Sequence, residues 1–311
     1  MASSSSFTEN IETAKPYEIS SEGSIELKQE IFPFKDLKLM SYSYRAPAPK
    51  GIIFFSHGLM EHTRAEQVTI DMFGRNRFSV FALDLPGHGL STTGDPSGEI
   101  PDFMKAIDAW VDYINDISSE QFHKPVPKFW FGHSLGATVG ILVSRRTKNI
   151  LRGSILSAPT VYVNVNWFAL TAITPLSWMF PSMAVQKLDR TALAHDQSVK
   201  ARAEADPLCG QKPVTARTGR QIKLATDEIQ NHFDQDDYPY LLLHGEADTI
   251  TPKKNSELFF AKSTSKDKKL HIFPGCYHEI HNEPCRDECY KLILDWLTPR
   301  LEIITEPSHA V

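Results

Sequence analysis

The stretch FWFGHSLGATVG, residues 129–140, decides how the chain is read. An apolar run over 128–131 leads into Gly132-His133-Ser134-Leu135-Gly136, and a helix-forming run over 136–145 follows. G-x-S-x-G between a strand and a helix is a nucleophile elbow, a turn so sharp that the serine is held in strained backbone geometry with its hydroxyl projecting from the sheet edge. Glycines on both sides leave no Cβ to clash where the two elements meet. Ser134 is therefore the candidate nucleophile.

Working outward, short runs rich in β-branched and aromatic residues over 52–56, 78–83, 128–131, 150–156 and 240–243 read as buried strands of a parallel sheet. Helical patterns separate them. Phe103, Ile107, Trp110, Val111 and Ile114 share one face of a helix over 102–117, and a last helix over 286–297 follows Pro284. Strands alternating with helices imply right-handed crossovers and a doubly wound α/β domain that binds ligands at the carboxyl ends of its strands. From 161 to 237 the alternation stops, and the residues look helical and irregular. The expected division is a lead-in over 1–20, a core over 21–160 and 238–303, an inserted helical cap over 161–237 and a tail over 304–311.

A serine hydroxyl needs a general base, and that base needs an acceptor to fix its tautomer and stabilise the imidazolium. The strand at 240–243 runs into His244-Gly245-Glu246-Ala247-Asp248, and the apolar run 270–273 is followed by Pro274-Gly275-Cys276-Tyr277-His278. Asp248 and His278 complete the order Ser, Asp, His that this elbow requires. Glu246 and His281 are their rivals. Asp248 is preferred because it stands beside Thr-x-Thr-Pro at a strand-to-helix turn, and His278 because His281 falls at the start of a helical turn. The oxyanion of a tetrahedral intermediate calls for two N–H donors. Leu135 follows the nucleophile directly, and the loop Ser56-His57-Gly58-Leu59-Met60-Glu61-His62 offers Leu59 as the second. His57 and His62 read as organisers of that loop, and residues 84–91 as scaffolding beside it.

Cys276, His278, His281, Cys285 and Cys289 crowd nitrogen and sulfur donors together, but their spacing matches no closed zinc module, so no metal is expected. Cys209 reads as a small buried hydrophobe. Lys plus Arg total 33 against 38 Asp plus Glu, and no basic cluster stands out, which argues against nucleic acid as a partner. Hydrophobic residues at 41% and charged ones at 23% suit a soluble globular chain. MASSSSFTEN lacks the features of a signal peptide, PSHAV is no prenylation or organelle address, and four cysteines are too few for a disulfide framework. The expected compartment is the cytosol.

These motifs together resemble the monoacylglycerol lipase and lysophospholipase branch of the α/β-hydrolase family, to which plant caffeoylshikimate esterase-like proteins are also similar. The likeness covers most of residues 20–300. It rests on His57 to His62 as His-Gly-x-x-Glu-His, Gly87 to Ser91 as Gly-His-Gly-x-Ser, Gly132 to Gly136 as the elbow, and Tyr277 to Glu283 as Tyr-His-x-x-x-x-Glu. The resemblance implies an eight-stranded, mostly parallel sheet with a helical cap inserted after the sixth strand. It implies Ser134, Asp248 and His278 as a triad, Leu59 and Leu135 as the oxyanion hole, and no cofactor. Lipases of the branch carry aromatics a few residues beyond the Glu-His pair and before the cap's Asp-Pro-Leu, whereas residues 63–66 and 201–205 supply none.

One segment stands apart. Residues 153–186 contain no Asp, Glu, Lys or Arg, where the average composition of the chain would place about eight. Asn164, Asn166, Pro175 and Pro181 interrupt it, so it does not read as a membrane span, which needs about 20 apolar residues in a row. Beyond its opening strand it falls in the cap, where Trp167, Phe168, Leu176, Trp178 and Met179 are the candidate acyl-chain contacts. An uncharged, aromatic lid suits an acyl tunnel or peripheral docking on a lipid surface. The expected activity is hydrolysis of a monoacyl lipid ester, monoacylglycerol or lysophospholipid, through an acyl-enzyme at Ser134. Acyl transfer, peptide hydrolysis and lipid binding without hydrolysis are the alternatives that the same site allows, and the oligomeric state is not legible.

Overall fold

A computed structural model of the chain describes residues 25–92, 94, 96–119, 126–163 and 177–302. The lead-in and tail read from the sequence, and Trp167, Phe168 and Leu176, lie outside these residues.

Eight strands form one sheet in the order β1-β2-β4-β3-β5-β6-β9-β10. The first two, β1 (Lys28–Phe34) and β2 (Leu37–Tyr44), make an antiparallel hairpin, and β2 also runs antiparallel to β4 (Phe78–Leu83). The rest of the sheet is parallel: β3 (Gly51–Ser56), β5 (Lys128–His133), β6 (Leu151–Ser157), β9 (Tyr240–Gly245) and β10 (Lys268–Phe273) join β4 in register. Every residue of β3, β4 and β9 is buried, which follows from helices covering both faces and explains why these strands read as unbroken apolar runs. The doubly wound α/β reading holds, with strand ends within two residues of those expected for the five runs first identified. The hairpin was missed because β1 buries only Phe32 and so shows no apolar periodicity.

Helices α1 (Gln67–Arg75), α2 (Phe103–Ser119), α3 (Leu135–Arg146), α6 (Lys254–Lys262) and α7 (Arg286–Leu297) connect or follow these strands. The numbering leaves room for α4 (Gln197–Ala205) and α5 (Ala216–Asn231), which fall between β6 and β9. Trp110 on α2 meets Trp130 on β5 edge to face with ring centroids 4.7 Å apart, one of the contacts that fixes a helix against the sheet. The segment between β6 and β9 is not wholly helical as expected. It also holds an antiparallel ribbon of β7 (Ala184–Gln186) and β8 (Val214–Thr215), strands too short to leave a two-residue period in the sequence.

Arg145 at the end of α3 locks the chain leading into β9. Its guanidinium grips Asp236 through two 2.8 Å hydrogen bonds and donates to the carbonyls of Glu228 and Ile229, with both charged groups buried. Burial pushes the Asp236 carboxyl up, against the pull of Arg145. Arg145→Met would strand that carboxylate, and a stability loss of about 3–5 kcal/mol is expected in urea unfolding. Arg145→Met combined with Asp236→Leu should recover much of it.

Candidate active site

The elbow forms as its sequence demands. Ser134 has φ +52° and ψ −116°, a conformation that side chains rarely adopt, and its neighbours leave no other path. A Cβ on Gly132 would lie 2.2 Å from the Gly136 carbonyl oxygen, and one on Gly136 would lie 2.1 Å from that of Ser56. The turn is held from outside by the Ser134 N–H, which donates to Ser157 on the neighbouring strand at 2.8 Å. Inside, its carbonyl accepts from Ala137 and Thr138 and so starts α3.

The loops after β9 and β10 bring the candidate acid and base together at the same carboxyl edge of the sheet. His278 Nδ1 donates to Asp248 Oδ2 at 2.7 Å, and both side chains are buried. Asp248 Oδ1 accepts from the N–H groups of Ile250 and Thr251 at 2.8 and 2.9 Å, so the loop backbone fixes the plane of the carboxylate. Burial pushes the Asp248 carboxyl up, but His278 and the hydrogen bonds from His244 and His278 outweigh it and hold it well below the usual carboxylate range. With Nδ1 committed to Asp248, His278 keeps Nε2 as its basic nitrogen. Ser134 and His278 line one cavity.

Two amides adjoin Ser134. Leu135 opens α3, where the first N–H groups of a helix have no intrahelical acceptor. The loop after β3 reaches Ser134 so closely that a Cβ on Gly58 would lie 3.2 Å from the Ser134 Cβ. Within that loop the Gly58 N–H donates to Glu61, and the next amide is that of Leu59. His57 sets the loop's shape, its Nδ1 donating to the Gly58 carbonyl at 2.7 Å while its Nε2 accepts from Leu85 N–H at 3.0 Å.

The rival residues are engaged elsewhere. Glu246 is exposed and pairs with Lys253 at 3.1 Å. His281 pairs with Glu66 at 3.1 Å, both buried; burial works against its protonation, and Glu66 outweighs burial to raise its basicity. Cys276 and Cys285 meet at 2.7 Å between sulfurs, but His278 and His281 face different carboxylates and do not converge on them. His62, Asp206 and Cys209 bring potential metal-ligand atoms within 4.8 Å of one another. His62 Nε2 is bonded to Asp206 Oδ2 at 3.0 Å there, a tie between the loop after β3 and the segment after α4.

The cavity is about 1500 Å³. From the segment between β6 and β9 it is walled by the apolar Val185, Leu188, Leu193, Val199, Val214 and Ile222 together with the charged Arg190, Asp196, Arg202, Lys223 and Asp227, and near the loop after β3 by Glu61, Glu66, Glu279 and His281. Burial, with repulsion from Glu66, pushes the carboxyls of Glu61 and Glu279 up. Trp178 and Met179 are a correction to the sequence reading: they are 73% and 66% exposed and do not line this cavity. They form an outward apolar surface with Phe180, at 58% exposed, and the Arg220 guanidinium lies over the Trp178 ring at 5.2 Å. Absence of charge marked them as apolar contacts but could not say which way they face. Sequence also missed Thr251, whose hydroxyl reaches Asp248 Oδ2 at 2.9 Å and His278 Nδ1 at 3.1 Å, and Glu66, which belongs to no motif. Among the described residues no helix is long and apolar enough to cross a membrane.

Human monoglyceride lipase is 30% identical over 243 residues, covering 76% of this chain and 77% of that protein. The monoacylglycerol lipase structure from Paleococcus ferrophilus is 26% identical with a TM-score of 0.73, covering 84% of this chain and 98% of that one. Monoglyceride lipase from Saccharomyces cerevisiae, in complex with a substrate analog, superposes with a TM-score of 0.80 at 22% identity, over 93% and 99% of the two chains. The model of the serine aminopeptidase S33 family matches residues 47–285, and with the eight-stranded sheet and the strained serine turn in place, the chain belongs to that family of α/β-hydrolases.

Proposed function

We propose that the protein is a serine ester hydrolase that cleaves monoacylglycerol, in the cytosol or at a membrane surface. The observation that carries this reading is one cavity with Ser134 and His278 on its wall, where the apolar Leu188, Leu193, Val199 and Val214 stand among charged side chains of the cap, and carboxyls and an imidazole gather near the loop after β3. Such a cavity suits an amphiphile whose single chain lies under the cap and whose polyol head points the other way. The similarity to monoglyceride lipases from human and Paleococcus supports the same substrate class.

Ser134 Oγ attacks the ester carbonyl while His278 Nε2 takes its proton, and the N–H groups of Leu59 and Leu135 receive the developing oxyanion. Collapse expels the alcohol, protonated by His278, and leaves the acyl group on Ser134. Water deprotonated by His278 then releases the fatty acid. Asp248 holds the imidazole in one tautomer throughout. Residues 161–237 act as the cap that shapes the acyl end.

A fluorophosphonate probe should label the protein, and Ser134→Ala should abolish both labelling and ester turnover. A folded wild type that resists the probe would sink the proposal. In a panel of monoacylglycerols, lysophospholipids and short aryl esters, the first should have the highest kcat/KM. Charging the apolar wall with Leu188→Asp should depress long-chain turnover at least tenfold more than short-chain turnover, since burying an unpaired carboxylate against an acyl chain costs more than about 1.4 kcal/mol. Trp178, Met179 and Phe180 form the surface that meets the lipid. Trp178→Asp should weaken co-sedimentation with phospholipid vesicles and leave hydrolysis of a soluble short ester unchanged.

A further inference from the structure

His244, the penultimate residue of β9, lies behind the carboxylate that the triad reading assigns to orienting the base. Its Nε2 is 3.2 Å from Asp248 Oδ2 and 2.6 Å from the Thr251 carbonyl oxygen, and its side chain is buried. Both neighbours are pure acceptors, so Nε2 carries a proton and shares it between them. Nδ1 is 2.7 Å from Ser256 Oγ on α6, which anchors the far side of the ring.

Asp248 therefore receives five donors. Oδ1 takes the amides of Ile250 and Thr251, while Oδ2 is approached by His278 Nδ1, Thr251 Oγ1 and His244 Nε2. A carboxylate oxygen has two lone-pair directions, so three donors are one too many. Thr251 resolves the excess, because its hydroxyl also lies 3.2 Å from the Ala158 carbonyl and can turn away. His244 has no such freedom, being held at both ring nitrogens. Its Nε2 proton is divided between the Thr251 carbonyl at 2.6 Å and Oδ2 at 3.2 Å, so it stands beside His278 as a further donor to that oxygen.

We propose that His244 is a positioning residue for this active site, a fixed second donor that orients Asp248 Oδ2 toward His278. This rests on the reading of Asp248 and His278 as acid and base, and it adds a requirement that the triad alone does not contain. Backbone amides fix Oδ1, and His244 adds a donor to Oδ2 besides His278. Without it, Oδ2 is shared between His278 and the Thr251 hydroxyl alone, and the imidazole loses its single orientation.

The test compares His244→Asn with His244→Gln in the full-length enzyme. Asparagine keeps a polar group near Ser256 but is too short to reach Asp248, whereas glutamine places an amide near the Nε2 position. His244→Asn should lower kcat and the rate of fluorophosphonate labelling about tenfold with KM unchanged, the scale of one lost hydrogen bond to a charged acceptor. Glutamine should recover most of that loss. The low-field proton resonance of the His278–Asp248 hydrogen bond should move in the asparagine variant and stay in place with glutamine. In an Asp248→Asn background, His244→Asn should cost less than a further twofold, because residues acting as a unit are not additive. Equal losses with Asn and Gln, or a full additional tenfold in the Asp248→Asn background, would overturn the assignment to His244 alone. Should His244→Asn not fold, Ser256→Ala releases the anchored end of the ring and should give a smaller loss of kcat in the same direction; an unchanged kcat would equally overturn it. A wild type that takes up no probe at Ser134 would instead remove the triad reading itself.

Discussion

The strained backbone at Ser134 is the constraint on which the rest of the site depends. A residue held at φ +52° costs about 1–3 kcal/mol and persists only where its surroundings allow nothing else. Here the surroundings are deeply buried. Phe129, Trp130 and Phe131 anchor β5 in the core, Ser157 on β6 receives the Ser134 N–H, and the helix that starts at Leu135 is buried along nearly its whole first three turns. Because β5 is a central strand, flanked by β3 and β6, the turn cannot relax without disturbing both neighbours. The same centrality places the loops after β3 and β9 near Ser134, and thus decides which residues can serve it.

Around that fixed point the chain gathers several imidazoles and gives four of them separate carboxylates. His278 is held by Asp248, His281 by Glu66, His62 by Asp206 and His195 by Glu283. His133, directly before the nucleophile, has its rings packed 4.7 and 4.9 Å from those of His278 and His281. Burial, together with those two neighbours, drives its basicity down and keeps it neutral. The four paired imidazoles do not compete for one acceptor, whereas His244 shares Asp248 with His278. The separate pairing explains why spacing alone could suggest a metal cluster at 276–289 while the folded side chains point to separate carboxylates.

Much of this was legible because the informative residues sit at strand ends, where short apolar runs and G-x-S-x-G give sharp local signals. Asp248 and His278 were readable from their places after two such runs, and the structure joins them at 2.7 Å. What stayed hidden is set by contacts across the sequence. Glu66 meets His281 across more than two hundred residues, and Thr251 and His244 are ordinary until the loop after β9 folds back on Asp248. The hairpin of β1 and β2 was hidden for another reason: an edge strand with one buried residue has almost no pattern to read. Trp178 and Met179 mark the limit of composition, which registers greasiness but not the direction in which a side chain faces.

The loop that carries His278 is also the loop to which residues 193–195 are fastened. The Glu279 N–H donates to the Leu193 carbonyl at 2.8 Å, Glu283 accepts from both the His195 amide and its ring nitrogen, and Tyr277 stacks on the His195 ring at 3.8 Å. These contacts bracket His278 on both sides. A displacement of the segment near 193–195 would therefore be felt within one or two residues of His278, through hydrogen bonds rather than through loose packing. The apolar wall beside those residues includes Leu188, Leu193 and Val199, so whatever fills the cavity presses on the element that is bonded to the loop of His278. The cavity wall and the His278 loop are thus tied by direct hydrogen bonds, while Asp248, faced by five donor groups, fixes the other side of the imidazole.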